Sequence, residues 1–310
     1  LTRLHEAAAS SWLLIWHALV AELDPSLAGA RLSELGEGWD NIAYAVHPPS
    51  GGQSLVLRVS KFADETERFD TTTKDAELLR FVAQHSLVAT NTVRAVGAHA
   101  GVLLLTMVPG IGAGTARIRD RPALAESLGT LLARLHAAPV PNGLVGAATP
   151  AESWRASTAT AFARVTDRFG DADRCLIESF LTGPAPDRPR HTVFCHNDLG
   201  AEHLIVDPES GALSGVIDWS DAVHDDPARD FALVWADLGW EIVEGALAAY
   251  VRRGGVVDPG LVARARWFAA HSLAATLADE AARNDPALAG SLARFRRVLQ
   301  GGRNNLPRTQ

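Results

Sequence analysis

Two short stretches hold side chains that could do chemistry together: CHNDLGAEH at residues 195–203 and GVIDWSD at 215–221. Each adjoins an apolar run of strand length, so Asp198 and Asp218 fall in loops at strand ends. Phosphoryl transfer from a nucleotide needs such a set. One carboxylate orients the acceptor hydroxyl, and others hold the divalent cation that neutralises the phosphates. Asp198 suits the first role and Asp218 the second, and His203, five positions after Asp198, stands where a further ligand is expected. Alone, HND also reads as a polar loop with His196 bonded to backbone. Its pairing with IDW across a hairpin (HLIVD, PESG, ALSGVID) lets both carboxylates converge on one ion, and that joint pattern carries the reading.

His203 has two readings. Magnesium prefers hard oxygen donors, so the imidazole either binds the ion or only hydrogen-bonds its own loop. We take it as a ligand, which implies Mg2+ with tolerance of Mn2+.

A nucleotide also needs a grip on its phosphates. GEGWDN at 36–41 precedes a hairpin, and Gly36 and Gly38 permit close backbone approach, although an ordinary strand-entry turn explains the motif nearly as well. In the strand LVLRV at 55–59, alternation puts Val56 and Arg58 on one face and Lys61 on the other. Val56 then roofs the base and Arg58 reaches the phosphates. On the helix that follows, Asp75 lies near the middle of the Leu78/Leu79/Val82 face while Glu77 points away, which makes Asp75 the expected partner of Arg58.

The elements that must position these groups fall into two parts. Helices are expected over 11–23 and around 71–85, with hairpin strands flanking PPSGG and a strand pair at 92–98 and 101–106. After Pro109-Gly110 the chain turns helical. Leu124, Leu128, Leu131, Leu132 and Leu135 form one amphipathic stripe ending at His136, read as a packed or capping histidine. One or two helices are expected over 151–181. Several more follow from Asp226 to Gln300, broken near Gly254, Pro259 and Pro286, with Asp226 as N-cap, Pro227 in the first turn and Asp230 bracing the catalytic loop. The expected fold is α+β: a β-rich, nucleotide-binding N-lobe with one key helix over 1–107, and a mostly helical C-lobe over 108–310, joined by a hinge at 107–110.

Composition excludes several classes. A net charge of −7 without a long basic block argues against a nucleic-acid partner. Cys175 and Cys195 form neither a disulfide framework nor a zinc spacing. No apolar run is long enough to span a bilayer, and no export signal is legible, so a cytoplasmic monomer is the expectation. The tryptophans at 12, 16, 154, 235, 240 and 267 read as core, with Trp235 or Trp267 as candidates for lining a sugar or lactone pocket.

GEGWDN, the VLR strand, LLTMVPG, LGTLLARLH, CHNDLGAEH, GVIDWSDA and DPARDFA occur in an order that resembles the aminoglycoside phosphotransferase-like antibiotic kinases, over roughly residues 30–235. The resemblance implies a protein-kinase-like fold, a catalytic Asp198, a magnesium ligand at Asp218, an Arg58–Asp75 pair at the phosphates, and a purine-binding hinge from Thr106 to Val108. It departs at His203, where most relatives have Asn, and at Asn197, where Gly is common. Both departures resemble the gentamicin 2″-kinases, and the histidine also resembles the macrolide 2′-kinases; because some of these prefer GTP, the donor is expected to be ATP or GTP. The expected acceptor is an antibiotic hydroxyl, an aminoglycoside before a macrolide, with Asp221, Asp225, Asp279 and Glu280 as candidate contacts or solvated surface acids. A housekeeping kinase of choline, homoserine or a thiosugar shares these motifs, and a catalytically inactive nucleotide-binding protein is the alternative from another class. Without DFG or APE segments, protein-kinase activity is not expected.

Overall fold

The computed structural model describes residues 14–301. They divide into two compact units: one runs to Pro109 and reclaims Gly215–Ile217, and the other comprises the rest from Gly110.

The first unit is built on a five-stranded antiparallel sheet. Its strands β1 (Arg31–Glu37), β2 (Asn41–His47), β3 (Leu55–Ser60), β4 (Val93–Gly97) and β5 (Val102–Thr106) lie in the order β1-β2-β3-β5-β4. Alternation along β3 decides which side chains face which layer. Leu57 and Val59 join Val46, Val102, Leu104 and Val20 of helix α1 (residues 14–23) in one apolar cluster. Val56 and Arg58 take the opposite face, paired in register with Leu105 and Leu103. Helix α2 spans Glu65–His85, beginning earlier than the apolar stripe from residue 71 suggests. Its first turns are polar, and Asp64 starts it by accepting the Glu67 N–H (2.9 Å), a cap that hydrophobic periodicity alone does not register. The helical reading of residues 11–13, and Trp12 with it, lies outside the described residues.

The second unit is mostly helical. Helices α3 (Arg121–His136), α4 (Ala151–Phe162), α5 (Asp171–Thr182), α6 (Arg229–Leu238), α7 (Trp240–Arg252), α8 (Leu261–Arg283) and α9 (Leu288–Gln300) alternate with the short strands β6 (Ile111–Gly112), β7 (Val193–Cys195), β8 (Leu204–Val206), β9 (Leu213–Val216, whose last two residues count with the first unit) and β10 (Val223–Asp225). All five leucines of the α3 stripe are buried. Gly129 lets α3 approach α7 closely, because a Cβ there would run into the Ala246 carbonyl oxygen.

Two details differ from the sequence reading. Asp226 is not the N-cap of α6, which starts at Arg229 after Ala228. Its carboxylate binds the buried Arg264 (2.6 and 3.2 Å), which also grips Asp258 (2.8 and 2.9 Å). Oδ1 of the same carboxylate still accepts the Ala228 N–H (3.0 Å), capping the turn that leads into α6. An unanticipated break also falls at Gly239, whose φ of 89° ends α6 where α7 begins.

Substituting Gly129→Ala should destabilise the protein by about 1–3 kcal/mol through overpacking, read as a lower urea midpoint with an unchanged slope. Stability should also depend on pH through His271, which is fully buried in α8 against the rings of Trp154 (3.9 Å) and Trp267 (5.1 Å). Burial, with neither ring nitrogen hydrogen-bonded, pushes its pKa from 6.5 down to about 4. Below pH 6.5 the unfolded chain binds a proton that the folded chain refuses, so stability is full above that pH and falls towards pH 4. His271→Phe should flatten the dependence of unfolding free energy on pH across this window, and an unchanged slope would contradict the assignment.

Candidate active site

In the second unit the loop after β7 is shaped by one buried carboxylate. Asp230, in the first turn of α6, accepts the backbone N–H of His196 on Oδ2 (3.0 Å) and that of Asn197 on Oδ1 (2.8 Å). His136, at the end of α3, donates from Nε2 to Asp230 (3.1 Å), and its Nδ1 is hydrogen-bonded with the Tyr250 hydroxyl (3.0 Å). Burial alone would raise the Asp230 pKa, but the bond and charge of His136, with His196 and the Asn197 N–H, hold it below the usual range. The Cys195 thiol is buried and pushed well up, chiefly by that burial, and donates to the Asp226 carbonyl (3.3 Å), so it is no nucleophile.

Held this way, Asn197 sits at φ 69° and the chain delivers Asp198 beside His203. His203 donates from Nδ1 to the Asp198 carbonyl oxygen (2.7 Å). The same nitrogen lies 3.5 Å from Asp198 Oδ2, while Nε2 lies 3.6 Å from Asp218 Oδ2. Asp218 itself has φ 62°, and the next residue, Trp219, is buried with its ring against His196 (4.4 Å). Asp198 and Asp218 thus both lie beside His203, with Asn197 next to Asp198 and Asp218 itself in left-handed conformations.

The electrostatics of this cluster follow from its crowding. Burial pushes Asp198 from 3.8 up to about 6; His203 opposes the rise, and Asp221, Glu202 and Asp218 add to it. Burial also works against protonated His203, but the Asp198 carbonyl and the charges of Asp198, Asp218 and Glu202 outweigh it and raise the imidazole. Of this cluster, His203 Nε2 and the Asp218 carboxylate are the atoms whose chemistry would suit a divalent cation. With Nδ1–H spent on the Asp198 carbonyl, the Nε2 lone pair of neutral His203 is the one turned to Asp218, the arrangement by which a second bond fixes the tautomer of a metal-binding histidine.

In the first unit, Arg58 and Asp75 form an ion pair with both side chains largely shielded. Val56 is half-buried on the same face of β3. Gly36 lies within β1 and Gly38 in the following turn, neither with positive φ, and a Cβ on Gly36 would meet nothing within 4 Å. Their value is open space, not conformational freedom. Lys61 closes this turn, donating to Glu37 Oε1 (2.6 Å) and the Gly38 carbonyl (3.1 Å), a role the sequence reading did not anticipate. At the 106–108 segment, Asn91 Nδ2 donates to the Thr106 carbonyl and Gln53 Nε2 to that of Met107, both at 2.9 Å, while Val108 is buried.

The four candidate acceptor acids separate. Asp221 acts electrostatically on Asp198, and its backbone carbonyl accepts from Asn197 Nδ2 (3.1 Å). Asp225 is bound to Arg229 (2.9 Å), Asp279 pairs with Arg283 on the exposed side of α8 (2.6 Å), and Glu280 is buried, accepting from Ser291 of α9 (2.9 Å). Helical periodicity could have separated the last two: Glu280 falls in line with the buried Leu273, Leu277 and Ala281 face. Glu202, not singled out from sequence, adds its charge to the Asp198 cluster.

Residues 31–268 match the model of the phosphotransferase enzyme family. The chain belongs to that family. Over 148 residues it is 30% identical to viomycin phosphotransferase of Streptomyces vinaceus, a stretch covering 46% of this chain and 50% of that protein. A second curated relative, the uncharacterised YcbJ of Bacillus subtilis, matches over 34% of its length, so the chain spans half or less of the curated relatives it matches. Among solved structures it is similar to macrolide 2′-phosphotransferase type I (TM-score 0.63, 26% identity, 93% of this chain and 97% of that one). It also resembles the GDP complex of wild-type aminoglycoside 2′-phosphotransferase-IIIa (TM-score 0.70, 19% identity, 92% and 97%). The expected α+β, kinase-like fold is therefore the one observed. No helix among the described residues of this phosphotransferase-family chain is long and apolar enough to cross a membrane.

Asp230→Asn in this family member turns one acceptor oxygen into an NH2 group facing a backbone N–H. The variant should lose about 2–4 kcal/mol of stability and exchange the His196 and Asn197 amides faster than the rest of the helical unit.

Proposed function

We propose that this chain transfers the γ-phosphoryl group of ATP or GTP to a hydroxyl of an antibiotic, an aminoglycoside foremost. The observation that supports this most strongly is the Asp198–His203–Asp218 cluster, with contacts of 3.5 and 3.6 Å through one imidazole. Asp198 orients the acceptor hydroxyl. As the hydroxyl oxygen bonds to the γ-phosphorus and the bond to the bridging oxygen breaks, Asp198 takes up the hydroxyl proton; its pKa of about 6 leaves it ionised at neutral pH yet more basic than an exposed aspartate. His203 and Asp218 would hold Mg2+, or Mn2+, which would supply neutralisation of the phosphate charge. Arg58, fixed by Asp75, contacts the phosphates, the Gly36–Gly38 turn covers them, and Val56 with the Thr106–Val108 backbone receives the purine.

An acceptor bearing ammonium groups suits the acidic surroundings of Asp198, where Asp221 is the contact we assign. Asp225, Asp279 and Glu280 are engaged elsewhere, which reduces the acids left for a polycation. That reduction, with the similarity to a macrolide 2′-phosphotransferase, supports a macrolide with its single amino sugar as the second reading. The protein is expected to work as a cytoplasmic monomer, with nucleotide and antibiotic as its partners.

A screen of ADP and GDP release against kanamycin, viomycin and erythromycin, with phosphorylated product confirmed by mass, tests the proposal. Turnover with at least one is expected, and nucleotide hydrolysis unaffected by all of them would contradict it. His203→Asn should retain Mg2+-supported transfer and lose several-fold of the Mn2+ advantage, because the nitrogen donor is replaced by oxygen. An unchanged Mn2+/Mg2+ ratio of kcat/KM would remove His203 from the ligand set.

A further inference from the structure

Asn197 occupies a left-handed conformation that favours glycine, at φ 69°. Its backbone geometry therefore gives no reason for a side chain, and the reason lies in what the amide does. Oδ1 accepts from Arg229 Nη1 (3.1 Å), and Nδ2 donates to the Asp221 carbonyl (3.1 Å). Guanidinium can only donate and a carbonyl can only accept, so these partners fix the orientation of the amide. One end of the strut is rigid: Arg229 is buried, bound to Asp225 (2.9 Å) and the Thr149 carbonyl (3.3 Å), and lies 4.6 Å over the ring of Phe268. The other end is the turn after Trp219, closed by the Ala222 N–H on the Trp219 carbonyl (3.0 Å).

Resting on the acceptor reading above, we propose that Asn197 is a positioning residue for the acceptor: its amide ties the Asp221 backbone to the fixed Arg229 and so sets where the Asp221 carboxylate meets a cationic group of the substrate. The strut spans the catalytic loop and the Asp221 turn. Losing it moves the carboxylate that holds the substrate while Asp230 still pins the backbone amides of His196 and Asn197, the two residues before Asp198.

Two variants separate this from a merely structural role. Asn197→Gly relieves the backbone strain while removing the strut. Asn197→Asp keeps an acceptor for Arg229 and removes the donor to Asp221. Kinetics would be measured with whichever of kanamycin, viomycin or erythromycin the unaltered protein phosphorylates, varying acceptor and nucleotide separately. In both variants the acceptor KM should rise about tenfold, with kcat and nucleotide KM moving by less than about threefold. Asn197→Gly should also unfold at or above the urea midpoint of the unaltered protein. An unchanged acceptor KM, or acceptor and nucleotide KM rising together, overturns the inference; should Asn197→Asp fail to fold, Asn197→Gly alone decides. Unaltered protein that phosphorylates none of the three acceptors overturns the functional reading beneath it, an outcome distinct from active protein with unmoved KM values.

Discussion

Asp230 lies buried at the start of α6 and gives one oxygen to each of two consecutive amides in the loop that carries Asp198. An ionised carboxylate there is costly to desolvate, and the two N–H donors with the His136 ring are what compensate it. This constraint forces the positive φ at Asn197, sends Asp198 out beside His203, and lets His203 turn Nδ1 onto the Asp198 carbonyl. Each later feature needs the earlier one. Asp230 does no chemistry, yet the geometry of the acid that we assign to chemistry derives from it.

Asp218 arrives by a different route. Residues 215–217 belong to the first unit, where the Val216 N–H bonds to the Ala89 carbonyl (2.9 Å) and a Cβ at Gly215 would come within 2.7 Å of the same oxygen. Asp218, next along the chain, is back in the second unit at φ 62°, with Trp219 anchored in the core behind it. The imidazole of His203 spans the gap between the two acids, so its tautomer couples the Asp198 loop to Asp218.

The two-part α+β organisation, the leucine stripe of α3, the strand alternation that puts Arg58 opposite Asp75, and the closeness of Asp198, His203 and Asp218 were all readable in the residues, because each rests on periodicity or short spacing. The start of α2 was not, because a capped polar first turn leaves no apolar trace. Asp226 caps the turn before α6, and its second bond, to Arg264, is not legible because that partner is distant in sequence. The same holds for Asp237, which binds the Ala201 N–H and Arg294, and for the Asn197 strut. Long-range polar pairing within a folded core writes no local pattern, and it is this layer that sets the finer geometry of the site.

The most direct test of the central claim is single-turnover phosphoryl transfer by the Asp198→Asn form, which preserves shape and the loop hydrogen bonds while removing the proton acceptor. The account predicts a fall of at least about 10²-fold in the transfer rate, with nucleotide affinity and unfolding midpoint close to those of the unaltered protein. Transfer within about threefold of the unaltered rate would show that the proton goes elsewhere and that Asp198 is not the catalytic base of this site.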